Sequence, residues 1–172
     1  MKKIIALGGS SAKQSINKTF ASYAANLVQN ASVETLDLND FEMPLYSIDL
    51  ENEKGIPSQA SSLLDKIQSA DGIVLSLAEH NGAYAAAFKN AFDWMSRLDG
   101  KLWGDIPMLL LATSPGGRGG VTVLEIAKSR FPYMGGNIVG SMALPFWDKN
   151  FQNGELVDSK IKASLLEEVK KL

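Results

Sequence analysis

The only histidine of the 172-residue chain stands beside a carboxylate, at Glu79-His80, and this pair is the first candidate for acid–base chemistry. An imidazole and a carboxylate can exchange protons with a substrate when both reach the same reacting atoms. Adjacent loop side chains often point apart, and the sequence offers no third group that would orient them. We therefore interpret His80 as a residue that lines or covers a ligand, and we predict no catalytic side chain.

A second chemically distinctive segment covers residues 9–17, GSSAKQSIN, and is rich in hydroxyl groups. Its serines, the Asn17 amide and the N–H groups of a following helix suit a phosphate, because unpaired donors and the helix dipole favour an anion. The spacing is neither a Walker A motif nor the G-x-G-x-x-G fingerprint of dinucleotide sites. The alternative interpretation is that Ser15 or Asn17 simply caps a helix.

Two further loops complete the set of unusual segments. Residues 78–84 place many main-chain polar groups beside Tyr84, which suits the edge and face of a flat heterocycle, although Asn81-Gly82 also fits a plain turn. Residues 113–120 contain four glycines, which would let the main chain approach a ring closely. We interpret Arg118, in the middle of that loop, as a solvated side chain.

Composition excludes several classes of function. A formal charge of -2 gives no electrostatic reason to expect nucleic acid or a membrane surface as partner. The absence of cysteine excludes disulfides, thiolate catalysis and thiolate metal sites, and one histidine cannot form a multi-histidine metal site, so we predict no metal. No stretch approaches the roughly 18 apolar residues of a membrane span, and we expect a cytoplasmic protein.

Short apolar runs alternate with helical spacing along the whole chain. The predicted strands are residues 4–7, 33–38, 72–77, 108–112 and 137–144. Helical spacing covers residues 20–28, 60–67 (with Pro57 in the first turn), 88–98, 121–131 and 161–169. Residues 41–55 have no sustained period and are predicted to form a long loop.

This alternation predicts an α/β fold, a doubly wound five-stranded parallel sheet in three α/β/α layers, as a single domain over residues 1–172. With strand order 2-1-3-4-5, the switch point falls between the first and third strands. The loops 9–17, 78–84 and 113–120 then meet at the carboxyl edge of the sheet. We expect the aromatic residues of the helix 88–98 to lie in the core or in a subunit interface.

Taken together, the three loops resemble the NADPH-dependent FMN reductase family, a flavodoxin-like group that includes bacterial quinone and azo-dye reductases. The resemblance covers nearly the whole chain. Its most specific part is EHNGAY at 79–84 leading into AFKNAFDW at 87–94, which is similar to P-E-Y-N-x-S/G-Y…LKNAIDW. Gly9-Ser10 with Ser15 and Asn17 resembles the phosphate loop G-S-x-R-x-x-S-x-N, and Ser114-Pro115-Gly116-Gly117 resembles the third flavin loop.

Three residues depart from the family pattern. Ala12 replaces the usual arginine and removes a charge near the phosphate, for which Lys13 is a candidate substitute. A charged hydrogen bond of this kind contributes about 1.5–3 kcal/mol where it is fully formed. Ala78 replaces the usual proline and His80 the usual tyrosine, which changes what covers the ring.

The resemblance implies a set of FMN-binding residues. The phosphate would be held by Ser10, Ser11, Gln14, Ser15, Ile16 and Asn17, of which Ser11 and Gln14 contribute main-chain N–H groups. The isoalloxazine would be lined by Glu79, His80, Asn81, Gly82 and Tyr84, and bounded on its other side by Ser114, Gly116 and Gly117.

The resemblance also implies an activity. The expected protein is an oxidoreductase that passes electrons from NADPH or NADH through FMN to a small-molecule acceptor, namely a quinone, an azo compound or free flavin. It would be a homodimer or homotetramer, with the exposed side of the helix 88–98 as candidate interface. A flavodoxin-type electron carrier and a flavin-free interaction domain are the alternatives, and the near-neutral charge disfavours the carrier.

Overall fold

Strands and helices alternate from end to end, and the computed structural model describes all 172 residues. In chain order the elements are β1 (Lys2–Gly9), α1 (Ile16–Asn26), β2 (Ala31–Leu36), a 3-10 turn (Leu38–Phe41), α2 (Ile48–Lys54), α3 (Ser58–Gln68), β3 (Gly72–Leu77), β4 (Glu79–His80), β5 (Ala83–Tyr84), α4 (Ala86–Leu98), β6 (Pro107–Thr113), α5 (Val121–Arg130), a second 3-10 turn (Phe131–Met134), β7 (Asn137–Leu144), α6 (Trp147–Asn150), β8 (Phe151–Gln152), β9 (Glu155–Leu156) and α7 (Ser159–Val169).

Five parallel strands form the central sheet in the order β2-β1-β3-β6-β7. The predicted order 2-1-3-4-5 is therefore confirmed. The central strand β3 is buried at all six positions, as expected for a strand covered by helices on both faces. Strands β4–β5 and β8–β9 form two separate antiparallel hairpins that the sequence analysis did not predict.

Apolar side chains fill the space on both faces of the sheet. One face carries an aromatic group in which Phe92 and Phe131 both pack against Trp103, with ring centroids 6.0 Å and 4.7 Å away. On the other face, Phe20 of α1 lies edge-on to Trp147. The aromatic residues Phe88, Phe92 and Trp94 of α4 are buried within this chain, so of the two expected locations they occupy the core.

Helix α1 begins directly against the end of β1, which determines where the first loop lies. A Cβ at Gly8 would lie 2.5 Å from the main-chain nitrogen of Lys18, so only glycine permits this approach. Ser15 is the N-cap of α1, and its Oγ accepts from the Lys18 N–H over 3.1 Å. The first loop therefore has to connect the end of β1 at Gly9 to the start of α1 at Ile16 over a short distance.

The prediction that residues 41–55 form a loop is wrong for part of this range, because α2 occupies Ile48–Lys54. No residue of α2 is buried, so the helix lacks the apolar period by which helices are recognised. Local interactions form it instead: the Ser47 Oγ caps the Leu50 N–H, and Asp49 and Glu51 lie in the first turn. Glu51 also pairs with Arg97 at the end of α4.

Other boundaries differ by a few residues from the predictions. Helix α1 begins at Ile16, strand β2 begins and ends two residues early, and Pro57 precedes α3 as its N-cap. Strands β3 and β7 have the predicted bounds. None of the helices combines the length and the apolar character that crossing a membrane requires.

Candidate functional site

One cavity of about 200 Å³ lies at the carboxyl edge of the sheet, where all three loops meet. Its walls come from the start of α1, from the end of β3 and from the residues that follow β6. They are Ser10, Ala12, Gln14, Ser15, Ile16, Asn17, Ala78, Glu79, His80, Thr113, Ser114 and Pro115. Parallel strands β1, β3 and β6 are neighbours, so their carboxyl ends necessarily bring these loops together.

The first loop presents a concentration of hydrogen-bond donors without protein partners. No protein atom accepts from the main-chain N–H groups of Ser11, Lys13, Gln14, Ser15, Ile16 and Asn17. The hydroxyls of Ser10 and Ser15 each accept from a main-chain N–H, at Ala12 and Lys18, and neither donates to the protein. A loop with so many free donors at a helix N-terminus is suited to bind an anion.

No lysine or arginine side chain lines this cavity. The nearest cation along α1, Lys18, is hydrogen-bonded to Asp37 beyond β2. Lys13 is exposed and forms no ion pair. An anion in the cavity would therefore be held by neutral donors and the helix dipole.

The Asn17 side chain, predicted to contact the phosphate, forms three hydrogen bonds within the protein. The residue is 3% exposed, and its carboxamide bonds to the protein. The Oδ1 accepts from the Ser76 hydroxyl over 2.7 Å and from the Thr113 N–H over 3.1 Å, while Nδ2 donates to the Thr113 carbonyl over 3.1 Å. Both acceptor positions and one of the two donors are therefore used within the protein, and the main-chain N–H of Asn17 has no protein acceptor.

The second loop is a tight hairpin fastened at one end. Glu79 pairs with Tyr84, and the two-residue turn Asn81-Gly82 has φ values of 53° and 74°. Two successive left-handed residues form the type I′ turn for which Asn-Gly is the preferred sequence. Asn81 and Gly82 lie outside the cavity, whereas Glu79 and the exposed His80 line it.

The Glu79 carboxylate is hydrogen-bonded to the start of α5. Its Oε2 accepts from the Val123 N–H over 3.0 Å. Gly120, the N-cap of α5, has no side chain to cap that helix, so Glu79 supplies the missing acceptor from another loop. This contact connects the second loop to the helix that follows the third.

Tyr84, predicted to lie beside the ligand, does not line the cavity. Its side chain packs into the aromatic core, stacked on Phe131 and tilted against Phe88. The phenolic oxygen is buried without a hydrogen-bond partner. Burial raises the pKa of Tyr84 to about 12, because the phenolate would lose its hydration there. The β4–β5 hairpin explains this position of the ring, because it places Tyr84 opposite Glu79 with its side chain in the core.

The third loop is in contact with a fourth segment that sequence reasoning missed. Phe146, just beyond β7, donates its N–H to the Gly116 carbonyl over 3.0 Å, and its ring lies against Gly117. Phe146 has φ 49° and ψ 55°, a left-handed conformation that is rare for aromatic residues, and 44% of its surface is exposed. Arg118 is exposed and donates to the Thr122 hydroxyl.

The cavity therefore contains many, though not all, of the residues selected from the sequence. Ser11 lines a neighbouring cavity of about 380 Å³ between the 3-10 turn Leu38–Phe41 and α4. Gly116 and Gly117 lie beyond the cavity, beside Phe146. Thr113 and Pro115 were missed. The sequence did contain an indication for Thr113, because it is a polar residue at the end of an apolar strand. Its hydroxyl donates to the Leu144 carbonyl.

These features fit a phosphorylated flavin on structural grounds alone. The free N–H groups and hydroxyls of the first loop match the acceptor oxygens of a phosphate. A Cβ at Gly116 would have only the Ser114 hydroxyl within 4 Å, at 3.8 Å, so the main chain there is open to close approach by a flat ring.

Comparisons with known proteins agree with this geometry. The family model described as NADPH-dependent FMN reductase matches residues 2–149. The quinone reductase of Escherichia coli (strain K12) is 29% identical over 167 residues, which are 91% of this chain and 85% of that protein. The NADPH azoreductase of Bacillus sp. (strain OY1-2) is 29% identical over 123 residues, 72% of this chain and 65% of the azoreductase.

A solved structure shows the same arrangement of elements. FerB from Paracoccus denitrificans, a flavoenzyme NAD(P)H:(acceptor) oxidoreductase, is 26% identical with a TM-score of 0.76, over 98% of this chain and 93% of that one. The family match covers the sheet and the three loops that build the cavity. The chain belongs to the NADPH-dependent FMN reductase family.

Proposed function

We propose that this protein is an FMN-containing oxidoreductase that passes electrons from NADPH or NADH to quinones, azo compounds or free flavin. The observation that carries the proposal is the first loop. Four residues of that loop whose main-chain N–H groups have no protein acceptor, Gln14, Ser15, Ile16 and Asn17, line one cavity, together with the hydroxyls of Ser10 and Ser15. Membership of the FMN reductase family and similarity to quinone and azo-dye reductases support the same choice.

The protein residues bind and orient rather than react. Ser10 and Ser15 would donate their hydroxyl hydrogens to the phosphate, and the N–H groups of Gln14 and Ile16 would add further bonds. His80 and Ser114 both line the cavity, where they would bound the ring. FMN, when bound, supplies the redox chemistry by taking up two electrons from the nicotinamide and releasing them to the acceptor.

An electron carrier of the flavodoxin type is the second candidate, and it would need a protein partner instead of a small acceptor. The net charge of -2 gives little electrostatic steering toward such a partner. The enzyme is therefore favoured. A flavin-free interaction domain would have no use for the free donors of the first loop.

The decisive experiment uses the purified full chain. It should be yellow, or become yellow with added FMN, and NADPH should bleach it under anaerobic conditions. Added quinone should restore the colour, and the chain should consume NADPH repeatedly when quinone is in excess. Bleaching without turnover would favour the carrier, and no colour after FMN addition would contradict every flavin-based function.

Assembly and location are further parts of the proposal. We propose a homodimer or homotetramer in the cytoplasm, with no nucleic-acid or membrane partner. The outward side of α4 is the candidate interface and carries Lys89, Arg97 and the partly exposed Leu98. Sedimentation of the wild-type chain and of Leu98→Glu would test it, since a charge in an interface should dissociate the oligomer.

A further inference from the structure

The Asn17 carboxamide lies where three elements meet, at the start of α1 and beside the ends of β3 and β6. It is 3% exposed, and its two closest partners, Ser76 and Thr113, are 0% and 1% exposed. The three hydrogen bonds that it forms are 2.7 Å to 3.1 Å long. Groups this well buried lose their water, so each depends on its protein partner.

These bonds continue into a chain across the carboxyl edge of the sheet. Ser76 anchors the amide to β3, and both main-chain groups of Thr113 anchor it to β6. The Thr113 hydroxyl then donates to the Leu144 carbonyl at the end of β7 over 2.8 Å. The Asn17 side chain thereby connects the first loop to the ends of β3 and β6, from which the second and third loops begin.

We infer that Asn17 is a positioning residue, which holds the phosphate loop and the ring loops at a fixed separation. The inference rests on the proposed FMN function. A carboxamide offers two acceptor positions and two donors, and three of these four are occupied by Ser76 and Thr113. The phosphate is then held by main-chain N–H groups and by Ser10 and Ser15, and Asn17 acts through the loops that it joins.

FMN and riboflavin distinguish positioning from direct phosphate contact, since they share a ring and differ by the phosphate. Loss of a phosphate ligand should weaken FMN and leave riboflavin unchanged. Loss of a residue that holds all three loops should weaken both by the same factor. The ratio of the two dissociation constants therefore reports the role of Asn17, independently of enzyme activity.

The experiment titrates wild type, Asn17→Ala, Ser76→Ala and Ser10→Ala with FMN and riboflavin, following flavin fluorescence. Asn17→Ala leaves buried groups of Ser76 and Thr113 unpaired and should weaken both flavins about tenfold or more. Ser10→Ala serves as the phosphate-contact variant and should weaken FMN alone. Ser76→Ala, which lies beneath the cavity and cannot touch a ligand, should weaken both flavins by a smaller common factor.

Two readouts separate positioning from a loss of overall stability. Circular dichroism at the titration temperature identifies folded samples, and Ser76→Ala carries the test if Asn17→Ala does not fold. The visible absorption band of bound FMN should shift in Asn17→Ala and Ser76→Ala, because the ring loops move, and should stay unchanged in Ser10→Ala.

Several results would overturn the inference. If Asn17→Ala or Ser76→Ala weakened FMN alone, Asn17 would be part of the phosphate site. If wild type bound FMN but no riboflavin, the ring loops would contribute no affinity for Asn17 to preserve. A wild-type chain that bound neither flavin would refute the proposed function itself, which is a distinguishable outcome.

Discussion

The Glu79 carboxylate accepts a hydrogen bond from the main-chain N–H of Val123 over 3.0 Å, which fastens the second loop to the first turn of α5. The two residues lie 44 positions apart in the chain. Together with the Asn17 contacts, this bond ties every loop of the cavity to a strand end or a helix start. The acidic residue beside the only histidine thus has a structural partner in α5.

Removing this bond should loosen the second loop. Glu79→Ala should lower the free energy of unfolding by about 1–2 kcal/mol, because a helix N–H loses its charged acceptor. Glu79→Gln keeps an oxygen acceptor and should lose only about 0.5 kcal/mol. Urea unfolding measures both variants, with Glu125→Ala as control, since Glu125 pairs only with surface Lys128. Equal losses for the alanine and glutamine variants would contradict the capping role.

Supplying the missing charge should tighten FMN binding. Ala12 is exposed and lines the cavity, where no cation is present. Ala12→Arg should lower the FMN dissociation constant by about tenfold or more, because a fully formed charged hydrogen bond contributes about 1.5–3 kcal/mol. Riboflavin should be unaffected, and the gain should shrink at high salt. Lys13→Ala tests whether Lys13 already supplies charge: weaker FMN binding would show that it does.

Two glycines of the third loop should respond differently to alanine. A Cβ at Gly117 would lie 2.9 Å from the Cζ of Phe146, whose partly exposed ring can move away. We therefore expect Gly117→Ala to lower the free energy of unfolding by less than about 0.5 kcal/mol. Gly119 has φ +59°, and a Cβ there would lie 2.6 Å from main-chain atoms of Leu144 and Pro145. Because both the backbone conformation and the space exclude a side chain, Gly119→Ala should lower the free energy of unfolding by more than about 2 kcal/mol. Thermal unfolding would compare the stability of the two variants. A similar loss of stability in both would contradict the contacts described for Gly117 and Gly119.

The buried Tyr84 hydroxyl should make stability sensitive to alkali. Burial raises its pKa from 10.0 to about 12, so the unfolded chain releases this proton first as the pH rises. The stability contribution is complete below pH 10 and decreases between pH 10 and 12. Tyr84→Phe should show a shallower loss over that range, and near neutral pH it should be neutral or stabilising, since it removes an unpartnered hydroxyl. A steeper alkaline loss in the variant would contradict this.

Edge strand β2 should be weakened by mild acid. Hydrogen bonds from Lys66 and Lys3 lower the pKa of Glu34 below its usual 4.5. A lowered folded-state pKa gives stability that is present above pH 4.5 and is lost as the pH falls through the folded value. The Glu34 side chain is 35% exposed to solvent, which screens its ion pairs, so Glu34→Gln should lower the free energy of unfolding by no more than about 1 kcal/mol at pH 7. The difference in free energy of unfolding from wild type should decrease as the pH falls below 4.5, and it should also decrease in 1 M salt.

The sequence alone determined the sheet and the edge at which its loops meet. Strand Gly72–Leu77 was predicted with its observed bounds because its six buried positions are almost all apolar, with Ser76 as the one polar residue. Alternation of such runs with amphipathic helices restricts the topology to few choices, and the converging loops follow from it. Helix α2, which buries no residue, left no such pattern and was missed.

Only the tertiary structure decided what the polar side chains bind. The Asn17 partners Ser76 and Thr113 are 59 and 96 residues away, and nothing in the chain order indicates that one carboxamide bonds to both strand ends. Glu79, Tyr84 and Phe146 depend likewise on contacts between distant segments: a helix start, an aromatic core and a glycine-rich loop. Residue type indicates which hydrogen bonds a side chain can form, whereas packing across the sheet decides with whom it forms them.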